Sequence, residues 1–460
     1  MDARLKCSRY VVVSDPLAVA RLGFLGRVIF STRSGALLSI REDVWKLVIL
    51  GNVDQLTQDT RRLLADASIL VPKEEDELAA VISENLAAIE ENPVLYQVVQ
   101  PSAWCQLDCS YCGQQHAVKQ LSLAHEDDFI HRVRKRLETG RYKALKIGWF
   151  GAEPLAGLKV IRRLTPRAQA AAQEYGCLYS ARMVTNGLVL SARLATELST
   201  QYGISEAEIT LDGLAEQHDM LRYTKTGNGS FNRIFANMAA VAATTPMKIV
   251  IRCNVSRGNV AGVVPLIFKL AEAGLAGHVR FYTSPVYSWG NDAHETALSP
   301  EDYAQLEMEW LALQYRLGFQ VGLVPPRRPI VCMSVHREAE VLDAYGTLFN
   351  CTEVPYVPAY GTPSVYEIKP ADAERKVVRI HPIQRRSPAG KLSSFNQQIA
   401  SGEQAQCAQC AMLPVCGGQC PKAWQEGHPP CPSAKINMKD RLNAMFAINQ
   451  MSGESHGVAG

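Results

Sequence analysis

Little in this sequence is extreme, and each shortfall narrows what the chain can be. No uncharged apolar run approaches the roughly 20 residues that a membrane span needs. No apolar core follows the basic residues of the opening Met-Asp-Ala-Arg-Leu-Lys-Cys, as a secretory signal requires. Neither sign of charge dominates: 48 Lys and Arg face 45 Asp and Glu, a net +3. Composition therefore offers no basic footprint for nucleic acid. With 47% apolar and 20% charged residues the chain does not have the make-up of a disordered one. No internal repeat stands out. The expectation is a cytoplasmic globular protein of two or three domains that binds neither membrane nor nucleic acid.

Cysteine, by contrast, is plentiful. There are thirteen, and only Cys7, Cys177 and Cys253 stand apart from tight spacings. In a large chain expected in the cytosol, clustered cysteines point to metal ligands and not to disulfides.

Residues 1 to 78 read as a small α/β unit: strand-like runs at 10–13, 27–30 and 36–40, amphipathic stretches at 42–50 and 53–66, and an apolar run at 68–71. An acidic helical stretch at 74–91, overlapping a helical linker at 79–93, leads into an alternating pattern over 94–323. Strands are expected at 94–99, 144–150, 178–184, 206–211, 248–255 and 278–284. Helices are expected at 125–138, 158–175, 191–201, 230–243, 259–273 and 300–317. Six β/α units in succession imply a parallel sheet with helices outside, as in a partial (β/α)6 barrel. Residues 324–440 are irregular, and 441–460 read as a helix end and a tail, mobile from 449 on.

Directly after the first barrel strand comes Cys105-x3-Cys109-x2-Cys112. Three thiolates on one loop can hold three irons of a four-iron cube and leave one iron open, as a catalytic site requires. A zinc loop completed by His116 is the alternative. Later come Cys332, Gly346 and Cys351, then Cys407-x2-Cys410-x5-Cys416-x3-Cys420 and Cys431. A zinc ribbon is the plainer reading of the late set.

The first loop resembles that of the radical S-adenosylmethionine (SAM) superfamily, and the likeness continues down the chain. It implies that Cys105, Cys109 and Cys112 hold a [4Fe-4S] cluster whose open iron binds SAM, with Tyr111 beside the adenine. Gly151-Ala152-Glu153-Pro154 resembles the family's Gly-Gly-Glu-Pro, with Ala152 for the second Gly, and Glu153 would accept from the SAM ammonium. Thr185-Asn186-Gly187 closes the third strand. Thr210-Leu211-Asp212-Gly213 and His218-Asp219-x-x-Arg222 resemble a stretch of radical SAM peptide maturases in which a hydroxyl and an Arg hold the SAM carboxylate. Thr210 and Arg222 have that separation, and a guanidinium suits a carboxylate; a surface Arg is the alternative.

The late cysteines resemble the seven-cysteine SPASM domain, which carries two auxiliary iron–sulfur clusters. The likeness implies Cys332, Cys351 and Cys420 for the first cluster and Cys407, Cys410, Cys416 and Cys431 for the second. Sulfatase-maturing relatives have a further Cys where this chain has Pro326, so the first cluster is expected to have three cysteine ligands. They also carry a catalytic Asp after the Cys351 equivalent. Here Thr352 stands there, followed by Glu353, which could serve as the base. Cys253, on a barrel strand, is expected to be packed and inert.

Residues 1–78 resemble, in length and order, the winged-helix precursor-recognition domain of ribosomal peptide maturases; a structural cap is the alternative. The resemblance implies that a leader peptide adds as a strand to the 36–40 run, with Leu38 and the facing Trp45 or Val48 giving selectivity. The whole reads as a maturase of a ribosomally made peptide, served by an electron donor such as flavodoxin or ferredoxin. Carbon–carbon or carbon–oxygen crosslinking at an aromatic residue is the first expectation. Thioether formation, epimerisation and sulfatase maturation are alternatives. A non-catalytic electron carrier would leave Glu153, Thr210 and Arg222 without a purpose.

Overall fold

Residues 4–19, 24–361, 366–367 and 392–452 are described by a computed structural model of the chain. At the N-terminus, β1 (Leu5–Cys7), β2 (Val11–Val13), β3 (Leu17–Val19), β4 (Phe24–Ser31) and β5 (Leu37–Arg41) precede α1 (Glu42–Ile49), α2 (Gln58–Asp66) and β6 (Leu70–Pro72). β4 is the spine: β2 and β3 pair along one edge, β5 along the other, all antiparallel. β1 joins β6 as a separate ladder. The sequence pattern does not reveal β1 and β3, since three residues are too few for a period of two to register. The expected helix over 53–66 splits into a short turn and α2, because Thr57 caps the latter by accepting from the Thr60 N–H.

Trp45 and Val48 do not face a groove beside β5. Both are buried in the core of this unit with Ile29, Ile40, Leu64 and Ile69. The apolar side chains that α1 and its end leave in the open are Ile49 and Leu50.

After α3 (Glu77–Glu90), six strands form one parallel arc: β7 (Val94–Val99), β8 (Ala144–Trp149), β9 (Leu178–Thr185), β10 (Ile204–Thr210), β11 (Lys248–Val255) and β12 (Val279–Pro285). Their order in the sheet is their order in the chain. Each connection therefore returns beside the strand it left, as right-handed β–α–β crossovers do. The connecting helices are α4 (Leu123–Leu137), α5 (Leu158–Glu174), α6 (Ala192–Thr200), α7 (Ala215–Leu221), α8 (Phe231–Thr244) and α9 (Val263–Glu272), with α10 (Pro300–Arg316) after β12. Alternation along the strands sorts their faces. Leu145, Ile147 and Trp149, like Ile249, Ile251 and Cys253, pack outward into the helix-covered core. Their neighbours Lys146, Arg252 and Asn254 belong to the opposite, concave face.

The sheet does not end at β7. β13 (Glu340–Leu342) pairs parallel to it, and β14 (Leu348–Phe349) turns back antiparallel. Gly346 makes that turn at φ +86°, and a Cβ there would lie 2.4 Å from the His125 ring. Conformation and space both require glycine. Buried Glu340 binds Arg132 and Arg136 of α4, which fastens this hairpin to the arc.

The N-terminal unit is not a loose appendage. Val28 and Phe30 share a core with Met412, Val415, Met438 and Leu442. Thr32 Oγ1 and Arg9 donate to the carbonyls of Ala411 and Ala408 at 2.5 Å. The chain ends in a helix, Ala434–Ser452, that runs against α10 through Arg441 and Glu307. This helix extends into the expected tail, and 453–460 lie outside the described residues. Among the described residues no helix is long and apolar enough to cross a membrane.

Candidate functional site

The Cys105–Cys112 loop leaves β7 at the C-terminal mouth of the arc and is held by its backbone. Ala103 N–H donates to the Lys119 carbonyl, Asp108 to Tyr223 and Ser110 to Leu221, each at 2.9 Å. The last two bonds strap the loop to the segment that carries Arg222. Gly113 follows, and a Cβ there would collide with the Trp289 carbonyl at 1.7 Å. Burial pushes the Cys105 thiol up to about 12, with Glu153 adding to it, and burial lifts Cys109 to about 11. Such thiols stay protonated until a metal takes the proton's place.

Glu153 is enclosed. It accepts from Thr185 Oγ1 at 2.6 Å and from the Asn186 and Leu155 N–H groups at 2.8 and 2.9 Å. Its carboxylate thus clamps the Thr185-Asn186-Gly187 turn beneath the cysteine loop, where Asn186 Nδ2 reaches Cys105 Sγ at 3.7 Å. Gly151 has φ +91°, and an added Cβ would press on Gln100 at 2.7 Å. Ala152 has no such positive φ, so its departure from the double glycine meets no backbone strain.

On the far side of the mouth stands a polar knot that sequence reasoning does not assemble. Tyr111 donates its hydroxyl to Asp212 Oδ2 at 2.5 Å and accepts from Arg222 Nη1 at 2.6 Å and Asn254 Nδ2 at 3.2 Å. Asp212 also takes the Asn254 N–H at 2.8 Å. Behind it, fully buried His218 accepts from the Asp212 N–H at 3.1 Å through Nδ1. Its Nε2 meets Ser230 Oγ, which donates to the Arg222 carbonyl at 2.5 Å. Burial drives the His218 pKa well below its usual value, consistent with a neutral ring that accepts. Asp219 Oδ1 takes the N–H groups of Ser230 and Phe231. The His218-Asp219-x-x-Arg222 run is therefore a frame for Arg222.

Arg222 is only 8% exposed, yet its Nε–H is buried without a partner. A guanidinium fixed at the mouth with an unanswered donor fits an incoming carboxylate. If that carboxylate belongs to SAM, as the sequence resemblance implies, Arg222→Ala should weaken SAM binding tenfold or more, since such a charge-assisted bond is worth roughly 1.5–3 kcal/mol, while iron content stays level. An unchanged SAM dissociation constant in titration calorimetry would remove Arg222 from this role. Thr210 ends β10 next in register to Arg252, on the concave side.

The late cysteines sort into two groups. Cys407, Cys410, Cys416 and Cys431 line one small pocket with Met412, Leu413, Trp424 and Lys435. Gly417, Gly418 and Gln419 all have positive φ, which turns the Gly418 N–H onto Cys416 Sγ at 3.3 Å. A Cβ on Gly418 would crowd Phe395 at 2.6 Å and Cys407 Sγ at 3.5 Å. Burial raises the thiol pKa of the remaining three, Cys332, Cys351 and Cys420, with Glu353 adding to it, and the segments of Cys351 and Cys420 meet where Lys422 Nζ stands 4.0 Å from Glu353 Oε2. Cys253 and Cys177 lie elsewhere: the first in the outer core, the second against the Tyr142 carbonyl at 3.2 Å. Glu353 receives the Trp289 indole N–H on its carbonyl and leaves its side chain about half exposed, at 51%. Among the described residues no three His, Cys, Asp or Glu side chains converge on a single ion. Four cysteine sulfurs around one pocket, without a carboxylate or imidazole, would suit an iron–sulfur cube, whose ligands stand further apart than those of one ion.

The chain has a mixed α/β fold built on a parallel sheet, similar to the structures of radical SAM maturases. One is native anSMEcpe with bound AdoMet, at TM-score 0.54 and 14% identity, covering 78% of this chain and 99% of that one. The same enzyme with AdoMet and the Kp18Cys peptide matches at 0.54 and 15%, over 78% and 99%. Streptococcus suis SuiB bound to precursor peptide SuiA aligns over 93% of this chain and 98% of that one, at 0.46 and 14% identity a more distant likeness. No family model matches. Among curated proteins, the uncharacterized protein sll1766 of Synechocystis sp. is 30% identical over 145 residues, 29% of this chain and 34% of that one. The match spans about a third of that relative's length.

Proposed function

We propose that this chain is a radical SAM enzyme that modifies a ribosomally made peptide. The observation that carries the reading is the mouth of the arc, where the three-cysteine loop is strapped to the segment bearing Arg222 and its unanswered N–H. With cluster and SAM bound, the site supplies a 5′-deoxyadenosyl radical to the peptide, and two auxiliary clusters supply a place for the electron left over.

The chain's own residues set the geometry. Arg222, framed by His218 and Asp219, holds the SAM carboxylate, with Thr210 beside it. Glu153, expected from the resemblance to accept from the SAM ammonium, also fixes the turn under the cysteine loop through Thr185 and Asn186, with Gly151 and Ala152 preceding it. Tyr111, locked by Asp212 and Asn254, gives the adenine side of the site a rigid edge. Glu353 is exposed enough to take a proton from the peptide. Crosslinking at an aromatic residue removes two hydrogens, one as an atom and one as a proton, which gives a carboxylate base a task. Epimerisation would leave Glu353 idle.

The peptide encoded beside the gene is the first substrate to try, with flavodoxin or ferredoxin as electron donor and the cytoplasm as the setting. Anaerobic turnover should yield 5′-deoxyadenosine and a peptide lighter by two hydrogens in mass spectrometry. A peptide of unchanged mass but altered stereochemistry would replace crosslinking by epimerisation. No SAM cleavage at all would sink the whole reading.

A further inference from the structure

The structure buries an ammonium group that none of the chemistry above employs. Lys422 lies two residues past Cys420, in the short helix Pro421–Gln425, and is 2% exposed. Its Nζ stands 2.9 Å from Glu426 Oε2 and 4.0 Å from Glu353 Oε2. The Tyr360 ring caps it at 4.9 Å, and Tyr366 packs edge-on to Tyr360 at 5.4 Å while its hydroxyl meets Glu426 Oε1 at 3.3 Å.

A buried ion pair is an expensive way to fill space, and apolar side chains of the same volume usually serve as well. The placement of this one is what calls for an explanation. Lys422 rides on the Cys420 turn and Glu353 on the Cys351 turn, so their contact spans two of the three cysteine-bearing segments of the first auxiliary centre. The second centre has a lysine too, with Lys435 Nζ at 3.6 Å from Cys431 Sγ. That pair is exposed, where water and salt screen it. Of these two late centres, only the first has a cation sealed from solvent among the described residues, where a unit charge acts most strongly.

We propose that Lys422 is a fixed counter-charge of the centre formed by Cys332, Cys351 and Cys420, a positioning residue that offsets the carboxylates of Glu353 and Glu426 and keeps the reduction potential of that centre above what those anions alone would set. This rests on reading those cysteines as cluster ligands. A reduced cluster carries one more negative charge than an oxidised one, so a nearby fixed cation favours reduction and a nearby fixed anion opposes it.

The test is a redox titration, followed by electron paramagnetic resonance, of the anaerobically reconstituted full chain. Lys422→Gln should raise the oxidised-to-reduced ratio of the first auxiliary cluster at a fixed potential by about tenfold. Glu426→Gln should shift the same ratio the other way, and Lys422→Arg should keep the parent value. The other two clusters should not move. A merely structural pair would not give shifts of opposite sign. If Lys422→Gln does not fold, the sign of the Glu426→Gln shift decides alone. Unmoved potentials, shifts of the same sign, or equal shifts in all clusters would overturn the proposal. Iron analysis separates this from the underlying reading. If replacing Cys332, Cys351 and Cys420 by Ala removes no iron, the cluster assignment itself fails, and the proposal with it. If about four irons are lost and the potentials still do not respond, only the role of Lys422 fails.

Discussion

Replacing Cys105, Cys109 and Cys112 together by Ala is expected to abolish SAM cleavage and to remove about four of about twelve irons, because each four-iron cluster needs its own cysteine set. The structure makes this a clean experiment. The loop keeps its shape mainly through backbone bonds to Lys119, Tyr223 and Leu221 and through buried Leu107, with only two longer contacts to the Cys105 sulfur, from the Leu107 N–H at 3.4 Å and Asn186 Nδ2 at 3.7 Å. The late cysteines lie on other segments, Cys253 is fully buried on β11, and Cys177 donates to the Tyr142 carbonyl. The variant should therefore fold and hold about eight irons, counted by a colorimetric assay on the reconstituted protein, and 5′-deoxyadenosine should be undetectable by chromatography. Residual cleavage in the triple variant would refute the assignment of this loop. Loss of all iron would mean that the loop organises the whole chain and not one site.

What the sequence makes legible is local. The six strands of the arc stand within two residues of where the apolar runs place them, because a parallel strand covered on one face by helices repeats large aliphatic residues over a short span. The mouth is legible for the same reason: cysteines, glycines and Glu153 sit within a few residues of a strand end, and barrel chemistry gathers there. Contacts that join distant segments are not legible. Tyr111 and Asp212 are 101 residues apart, and nothing in either neighbourhood announces the other. The role of His218 is hidden likewise, since its partners lie in a strand end and a helix start. Leu348–Phe349 and Glu340–Leu342 are too short for any period, and only the glycine between them hints at a hairpin. The cysteine spacings imply the two late groups through resemblance alone. Only the resemblance assigns Cys420 to Cys332 and Cys351 and not to its neighbours in the chain; what the structure adds is that Lys422, two residues past Cys420, stands 4.0 Å from Glu353, two residues past Cys351.

The N-terminal unit gives the second large effect, and the structure changes how it must be tested. Deleting residues 1–78 would strip Val28 and Phe30 from a core they share with Met412, Val415 and the C-terminal helix. The loop bearing Cys407 and Cys410 would lose its bonds to Arg9 and Thr32 as well. A loss of peptide binding would then be ambiguous. The edge of β5 offers a sharper probe. Among the described strands β5 pairs only with β4, in an unbroken antiparallel register from Phe30 opposite Leu37 to Gly26 opposite Arg41. At the hairpin end the Ser31 N–H donates to the Ala36 carbonyl, which makes that pair a hydrogen-bonded one. Alternation then turns the N–H groups of Leu38 and Ile40 toward β4 and those of Leu37 and Ser39 toward the open edge. Proline at Leu38 would thus break the unit's own ladder. Proline at Ser39 removes a donor that only an added strand would use, in a conformation that proline tolerates at a sheet edge. Ser39→Pro is expected to reduce precursor affinity at least tenfold, the loss of about one to two main-chain hydrogen bonds from an added strand. SAM cleavage without peptide and the melting temperature should stay at parent values. Fluorescence anisotropy with a labelled peptide encoded beside the gene measures the first, and scanning calorimetry the last. Unchanged affinity in a folded Ser39→Pro variant would make the N-terminal unit a structural cap and move recognition to the mouth of the arc and the cysteine-rich region above it.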